Sequence, residues 1–255
     1  MAEGDAVRYE VHRRVAWVTI DRPDARNALN AAVRSGLLDA ARRFNDDPDA
    51  AVLVLTGAGD QAFCAGGDLK EMAASELRVP PPDFVPQFGR TIEIAKPTIA
   101  AVNGVAYAGG FLLALMCDLC VAAEHARFAV TEAKVGRGAP WAARLGRIVP
   151  PRIAMELLVT GDPIDARRAH DLGFVNTVVP GDELRDAAQG LAERIAANAP
   201  LSVAAAKRMV REAWDGDPDA FARAEALWEP VYLSEDAQEG PRAFRERRAP
   251  EWKGR

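Results

Sequence analysis

The 255-residue chain is poor in the side chains that enzymes most often use as nucleophiles and metal ligands. It has three cysteines, Cys64, Cys117 and Cys120, all in apolar surroundings. An odd number of thiols without a secretion signal points to reduced cysteine and not to a disulfide framework. Cys117-Asp118-Leu119-Cys120 has redox or half-zinc spacing. No second pair follows it, however, and His12, His125 and His170 are scattered. The expectation is no metal, with the cysteines acting as small buried hydrophobes. Serine is also scarce: Ser35, Ser75, Ser202 and Ser234 are the full set, and none stands in a G-x-S-x-G elbow. No apolar run is long enough to span a bilayer. Val52 to Leu55 is strand-sized, and Gly110 to Met116 makes about two turns of helix. The first residues, Met1 to Asp5, are polar and acidic, unlike a signal peptide, so a cytoplasmic protein is expected. With 32 basic and 37 acidic residues, a net charge of −5 and no basic block before the tail at Arg242 to Arg248, the chain lacks a nucleic-acid footprint. Neither nucleic acid nor membrane is an expected partner.

What is present is a large apolar fraction, 49%, enough for a sizeable core. Val7 to Val11 and Val15 to Ile20 read as strands around a polar turn. Asn30 can cap a helix whose apolar positions Val33, Leu37, Leu38, Ala41 and Phe44 recur at helical spacing. Val52 to Thr56 and Thr98 to Val102 are continuous apolar strands of the kind buried on both faces. Leu119 to Ala123, Arg127 to Val130 and Phe174 to Val179 read as further strands. Ile153 to Val159 and Asp165 to Asp171 read as helices, and Asp182 as the cap of a helix through Ala197. The proline-rich stretch Val79 to Pro86 reads as a loop, and Thr91 to Ala95 as the end of a helix. After Pro200 the pattern is helical only, over Leu201 to Trp214, Asp219 to Leu233 and Ala237 to Arg248, with Ser234 placed as a cap. Such a set must bury its apolar face on its own core or on a neighbouring subunit.

Gly57-Ala58-Gly59-Asp60-Gln61-Ala62 follows a strand and fits the G-x-G-x-x-A dinucleotide fingerprint. The fingerprint requires a helix to open inside the glycines, whereas Ala62 to Gly67 reads as extended loop. This glycine pair is therefore read as a turn.

Two later glycine stretches carry more chemistry. Phe63-Cys64-Ala65-Gly66-Gly67-Asp68 and Asn103-Gly104-Val105-Ala106-Tyr107-Ala108-Gly109-Gly110 each follow a short apolar strand and run into a helix pattern. A helix start leaves N–H donors unpaired and carries a partial positive charge. Donors from Gly67 and Gly109 aimed at one point would form an oxyanion hole. Either motif alone could be a tight turn. Such a hole needs a proton carrier beside it, and the remaining candidate is Glu132, directly after the apolar strand Phe128 to Val130. Spacing leaves two readings open for it: a surface carboxylate at a strand end, or a general acid–base whose pKa is raised by apolar surroundings.

Taken with Lys96 to Gly104, Phe128 to Gly136, Leu158 to Gly161, Leu172 to Val175 and the tail Ser234 to Phe244, these motifs resemble the crotonase superfamily, the enoyl-CoA hydratase and isomerase group. The tail with Trp252 to Arg255 is most similar to its carnitinyl-CoA dehydratase-like branch. The resemblance covers essentially the whole chain. It implies an α/β fold, a spiral of ββα turns over residues 1–199, with a C-terminal helical trimerisation region over 200–255. It implies a homotrimer or a hexamer, no cofactor, and coenzyme A as part of an acyl-CoA substrate. The thioester oxygen would sit on Gly67 and Gly109, with Glu132 as acid–base. Substrate contacts would come from Arg26, Ala28, Ala65, Asp68 and Lys70, and across a subunit boundary from Phe244 and Arg247. The chain departs from the family at Leu112, where hydratases carry a second glutamate. It departs again over Gly136 to Ala143, where Trp141 or Arg137 reshapes the acyl pocket. The implied reaction is hydration or dehydration of an enoyl-CoA. Double-bond isomerisation by Glu132 alone is the first alternative, and acyl-CoA binding without catalysis is the second.

Overall fold

Apolar strands running side by side form the centre of the structure, a computed structural model that describes residues 6–74, 80–81, 83–214, 230, 233–246 and 248–255. β1 (Val7–His12) pairs antiparallel with β2 (Val15–Ile20). Helix α1 (Ala31–Asp46) follows, and the Asn30 side chain caps it by accepting from the Val33 N–H at 3.0 Å. Then come β3 (Val52–Gly57), β4 (Ala62–Cys64) and the short α2 (Leu69–Ala74). β5 (Thr98–Val102), β6 (Val105–Tyr107) and α3 (Gly109–Met116) repeat that order. β7 (Leu119–Ala123) and β8 (Arg127–Ala129) begin a third repeat. It continues through 3₁₀ turns at Glu132–Val135 and Pro140–Arg144, α4 (Leu145–Ile148) and α5 (Pro151–Thr160). β9 (Ile164–Asp165), α6 (Ala166–Asp171), β10 (Thr177–Val179), α7 (Leu184–Ala196), α8 (Pro200–Trp214) and α9 (Glu235–Glu246) complete the order.

Successive pairs divide between two sheets. The larger sheet runs β1-β2-β3-β5-β7-β10 and the smaller runs β4-β6-β8-β9. From β3 onward each repeat contributes one strand to each sheet before its helix, which is the ββα spiral that the resemblance implies. β2, β3 and β5 are buried at every position, as parallel strands covered on both faces must be. Alternate side chains separate into two cores. Ala16, Val18, Leu53, Leu55 and Ala100 face α1 and the smaller sheet. Val15, Trp17, Val52, Val54 and Ile99 face Leu184, Ala188, Ala192 and Ala196 of α7. The 3.6-residue repeat puts those four on one stripe, and their small size lets helix and sheet approach closely.

Several local expectations are corrected. Thr91 to Ala95 is a turn and not a helix end. The Thr91 hydroxyl accepts from the Gln87 N–H at 2.8 Å, Gly89 takes φ +75°, and Ile94 is fully buried. Phe174 to Asn176 are not strand, because Gly173 (φ +90°) turns the chain there and Asn176 hydrogen-bonds back to Cys120. Asp182 does not cap α7. It lies in a 3₁₀ turn, Gly181–Glu183, that leads into the helix without a side-chain cap. Ser234 does cap α9, accepting from the Ala237 N–H at 3.2 Å. Gly57 ends β3 and Gly59 lies in the turn to β4, so no helix opens inside this glycine pair. The expected helix over Asp219 to Leu233 falls almost wholly outside the described residues.

α8 is anchored to its own chain. Lys207 Nζ donates to the Lys96 carbonyl at 2.7 Å and pairs with Asp118 at 2.8 Å. The Trp252 indole N–H donates to the Ala197 carbonyl at 2.6 Å. No helix among the described residues is long and apolar enough to cross a membrane. Cys64, Cys117 and Cys120 are free thiols, and burial pushes Cys64 and Cys120 up to about 12.

Candidate active site

The Gly67 amide is positioned by a segment far from it in sequence. Asn27 is fully buried in left-handed backbone (φ 55°). Its side-chain amide donates to the carbonyls of Ala58 (3.0 Å) and Ala62 (2.7 Å), and its oxygen accepts from the Arg22 N–H at 3.0 Å. That clamp holds residues 26–29 along 65–68. The Ala65 N–H donates to the Arg26 carbonyl, the Leu29 N–H to the Gly66 carbonyl and the Asp68 N–H to the Leu29 carbonyl. Leu29 and Gly67 thereby form a parallel bridge. In such a bridge the carbonyl before Gly67 and the N–H after it face Leu29, so the N–H of Gly67 points to the opposite edge.

Gly109 lies on that edge. Ala108 turns the chain out of β6 in a strained conformation (φ 51°, ψ −120°), held by its N–H bond to the Ala129 carbonyl at 2.9 Å. Gly109 is the first residue of α3, where a helix N–H has no intrahelical acceptor. The backbones of the two turns touch. A Cβ built on Gly109 would lie 3.9 Å from Gly67 N, and one built on Gly66 would lie 3.5 Å from Gly109 N. A Cβ on Gly110 would overlap the Cys64 carbonyl oxygen, so only glycine allows this approach. Among the described residues neither the Gly67 nor the Gly109 N–H donates to a protein acceptor.

The third element comes from the end of β8. Glu132 is 8% exposed, which removes the surface reading left open by its spacing. The Trp141 indole N–H donates to its Oε1 at 2.8 Å, while Oε2 is buried without a hydrogen-bond partner among the described residues. Burial pushes the carboxyl above its ordinary value, and the indole donor offsets part of the rise. Trp141 meets the edge of Phe111 at 6.0 Å, and Phe111 packs on Phe128 at 5.5 Å and Phe174 at 5.3 Å. Phe111 is on the helix that Gly109 begins, and Phe128 is on the strand that leads to Glu132. One aromatic cluster therefore ties both catalytic candidates together.

Leu112 and Trp141 share a cavity of about 290 Å³ with Leu115, Met116, Pro140, Ala143, Gln87 and Arg90. Its wall is mostly apolar, with Gln87 and Arg90 as the polar part. Leu112 is 7% exposed, so an apolar surface stands where the resemblance implies a second glutamate.

The expected substrate contacts separate. Arg26, in the segment that runs along 65–68, and Lys70, in α2, have exposed side chains. Backbone groups of Ala28 and Ala65 are spent within the clamp: the Ala28 carbonyl accepts from Arg22 at 2.8 Å, and the Ala65 N–H is used as above. Asp68 is also engaged structurally. It accepts from the N–H groups of Lys70 and Glu71 at the start of α2 and pairs with Arg22 at 3.2 Å. Burial alone would raise its carboxyl, but these bonds hold it below the usual range. Phe244 falls in α9, and Arg247 lies outside the described residues. Sequence reasoning missed Asn27, Arg22 and Phe111. Asn27 had no local signal, because both acceptors of its amide lie more than 30 residues away.

Known proteins resemble this chain along nearly its whole length. A family model described as enoyl-CoA hydratase/isomerase matches residues 10–255. A carnitinyl-CoA dehydratase from Salmonella arizonae is 42% identical over 98% of this chain and 99% of its own length. One from Citrobacter koseri is 40% identical over 98% of this chain and 99% of its own. Among solved structures, an enoyl-CoA hydratase from Mycobacterium tuberculosis superposes with a TM-score of 0.90 at 43% identity, covering 99% of this chain and 100% of that one. The Mycobacterium marinum enoyl-CoA hydratase gives a TM-score of 0.90 at 42% identity, with coverage of 99% and 100%. With paired glycine amides, a buried acid and a match along nearly its whole length, the chain belongs to the enoyl-CoA hydratase/isomerase family.

Proposed function

We propose that this protein is a lyase that hydrates an enoyl-CoA or dehydrates the corresponding hydroxyacyl-CoA through an enolate. The observations that carry the reading are two glycine turns that meet with both amides unspent, and a buried carboxyl with one unpaired oxygen that is joined to the second turn through Trp141 and Phe111. The thioester oxygen accepts from the Gly67 and Gly109 N–H groups, which strengthen their hold as that oxygen becomes negative. In hydration, the Glu132 carboxylate takes a proton from water as the water oxygen bonds to Cβ. The double-bond electrons move onto the thioester, and the enolate then takes the proton from Glu132 at Cα. Dehydration is the reverse. Coenzyme A enters only as part of the substrate, with Arg26 and Lys70 meeting its phosphates.

Leu112 supports a second reading, double-bond isomerisation. There Glu132 takes the α-proton of a 3-enoyl-CoA and returns it at the γ-carbon, and no second carboxyl is needed to hold water. The cavity bears on the acyl group. Among the described residues no acidic side chain lines it, and Arg90 contributes a cation. A hydrocarbon acyl chain is therefore favoured over a quaternary ammonium such as carnitinyl. We also propose a cytoplasmic homotrimer or hexamer assembled through residues 200–255, which sedimentation of the purified protein tests.

Solvent deuterium exchange at the α-carbon of a saturated acyl-CoA tests the common step, because it requires only proton removal and enolate capture. Exchange by the wild type that is lost in Glu132→Gln is the expected result. Tight binding with no exchange would replace catalysis with acyl-CoA binding alone. Product analysis with 2-enoyl-CoA and 3-enoyl-CoA then separates hydration from isomerisation.

A further inference from the structure

We infer that Trp141 is a positioning residue for Glu132: its indole N–H engages Oε1 and confines proton exchange to Oε2. The inference deepens the reading above, in which Glu132 moves the proton. Indole has one N–H and no acceptor, so it can only donate. At 2.8 Å it occupies Oε1 whether the carboxyl is neutral or ionised. The proton of the neutral acid must then sit on Oε2, the oxygen with no other partner among the described residues. A carboxyl free to rotate would present either oxygen and lose orientation, which proton transfer needs.

The donor itself is firmly placed. Pro140 opens the 3₁₀ turn that carries Trp141, and the Ala142 N–H closes it on the Ala139 carbonyl at 3.0 Å. The Arg137 N–H returns to the Glu132 carbonyl at 2.9 Å, so the loop folds back on the turn that holds the acid. The indole stands edge-on to Phe111 at an interplanar angle of 74°, and Phe111 is two residues from Gly109. The acid is thereby indexed to the helix that supplies an oxyanion donor. Trp141 also walls the cavity with Leu112, so one side chain can couple acyl-group fit to the orientation of the acid. Arg90 lines the cavity and Arg137 lies on the loop; on the turn of Glu132 itself Lys134 pairs with Asp162 at 2.7 Å, and α5 carries Arg152 and Glu156, the latter paired with Arg168. Burial raises the Glu132 carboxyl, and the Trp141 indole and the residue's own backbone N–H offset part of that rise.

The test removes the N–H and keeps the shape. Trp141 is replaced by 3-benzothienylalanine, in which sulfur stands for the indole N–H, and separately by Phe. The readout is the pH dependence of α-carbon deuterium exchange. Losing one hydrogen bond to a carboxylate should move the acid limb up by about one pH unit and lower kcat roughly tenfold, with KM nearly unchanged for the sulfur isostere. A role confined to shape would leave the isostere like wild type and raise KM only for Trp141→Phe, which would overturn the inference. Difference infrared spectra of the Glu132 carboxyl, assigned with Glu132→Gln, read the same titration without turnover. If that titration moves in the isostere while the wild type shows no exchange, Trp141 controls the carboxyl and the enolate reading fails. If the titration does not move, the inference fails whatever the activity.

Discussion

Replacing Glu132 by Gln should reduce turnover and stabilise the protein at the same time. The amide oxygen of Gln can still accept from the Trp141 indole, so the geometry survives. What is lost is the proton carrier, which typically contributes about 10²- to 10⁴-fold in rate. The stability effect follows from linkage. Burial raises the folded carboxyl above the ordinary 4.5. Below pH 4.5 both folded and unfolded chains are protonated and the group costs nothing. As pH rises from there towards the raised folded value, the unfolded chain ionises first, and the wild type loses stability until the folded group ionises too. The loss is about 1.4 kcal/mol for each pH unit by which burial displaces the group. For a chain of this size about 1 kcal/mol moves Tm by roughly 2–4 °C. Thermal melts of wild type and Glu132→Gln should therefore coincide near pH 4 and separate at pH 8, with the variant higher, while α-carbon exchange falls at least about 100-fold. Exchange at the wild-type rate, or an equal Tm difference at both pH values, would refute the assignment.

Other outcomes follow from the same geometry. Leu112→Glu should raise enoyl-CoA hydration by about 10²-fold, because a second carboxyl can then hold water. It should also lower Tm, since it buries a carboxyl in an apolar wall; unchanged hydration rates would show that Leu112 does not limit water activation. Gly110→Ala should lose more than about 3 kcal/mol in denaturant melts or fail to fold, because its methyl meets the Cys64 carbonyl. Gly136→Ala, whose added carbon meets nothing within 4 Å but whose φ is +64°, should cost only about 1–2 kcal/mol. Asp118→Asn should cost about 3 kcal/mol in the same melts and leave kcat for exchange unchanged. It weakens the anchor of Lys207, whose side chain is only 7% exposed, and touches none of the groups proposed to react. An enoyl-CoA with a hydrocarbon chain should show a kcat/KM above that of a carnitinyl thioester, and the reverse order would refute the charge reading of the cavity.

Much of the secondary structure was legible because its causes are local. Continuous apolar runs marked β3 and β5, and the spacing from Val33 to Phe44 with Asn30 before it marked α1. Failures came where a side-chain hydrogen bond outweighed the backbone pattern. Thr91 to Ala95 looked helical until the Thr91 hydroxyl closed a turn on Gln87. Asp68 suited a substrate contact by motif, yet Arg22 and the start of α2 claim its carboxylate. Glu132 was recognisable as an acid at the end of an apolar strand. Its hydrogen-bond donor was not, because Trp141 reaches it only through a loop whose path depends on Phe111 and Gly136.

Residue type and order by themselves determined that buried parallel strands alternate with helices, that glycine stands at the two turns, and that one acid follows the short strand Arg127–Ala129. These depend on side-chain volume, backbone freedom and hydrophobic period, which each segment carries with it. The closed chain decided which N–H groups stayed unspent and which carboxyl oxygen stayed open. Hydrogen-bonding capacity is used up by whichever partners the fold brings within about 3 Å, and those partners come from residues far apart in the chain.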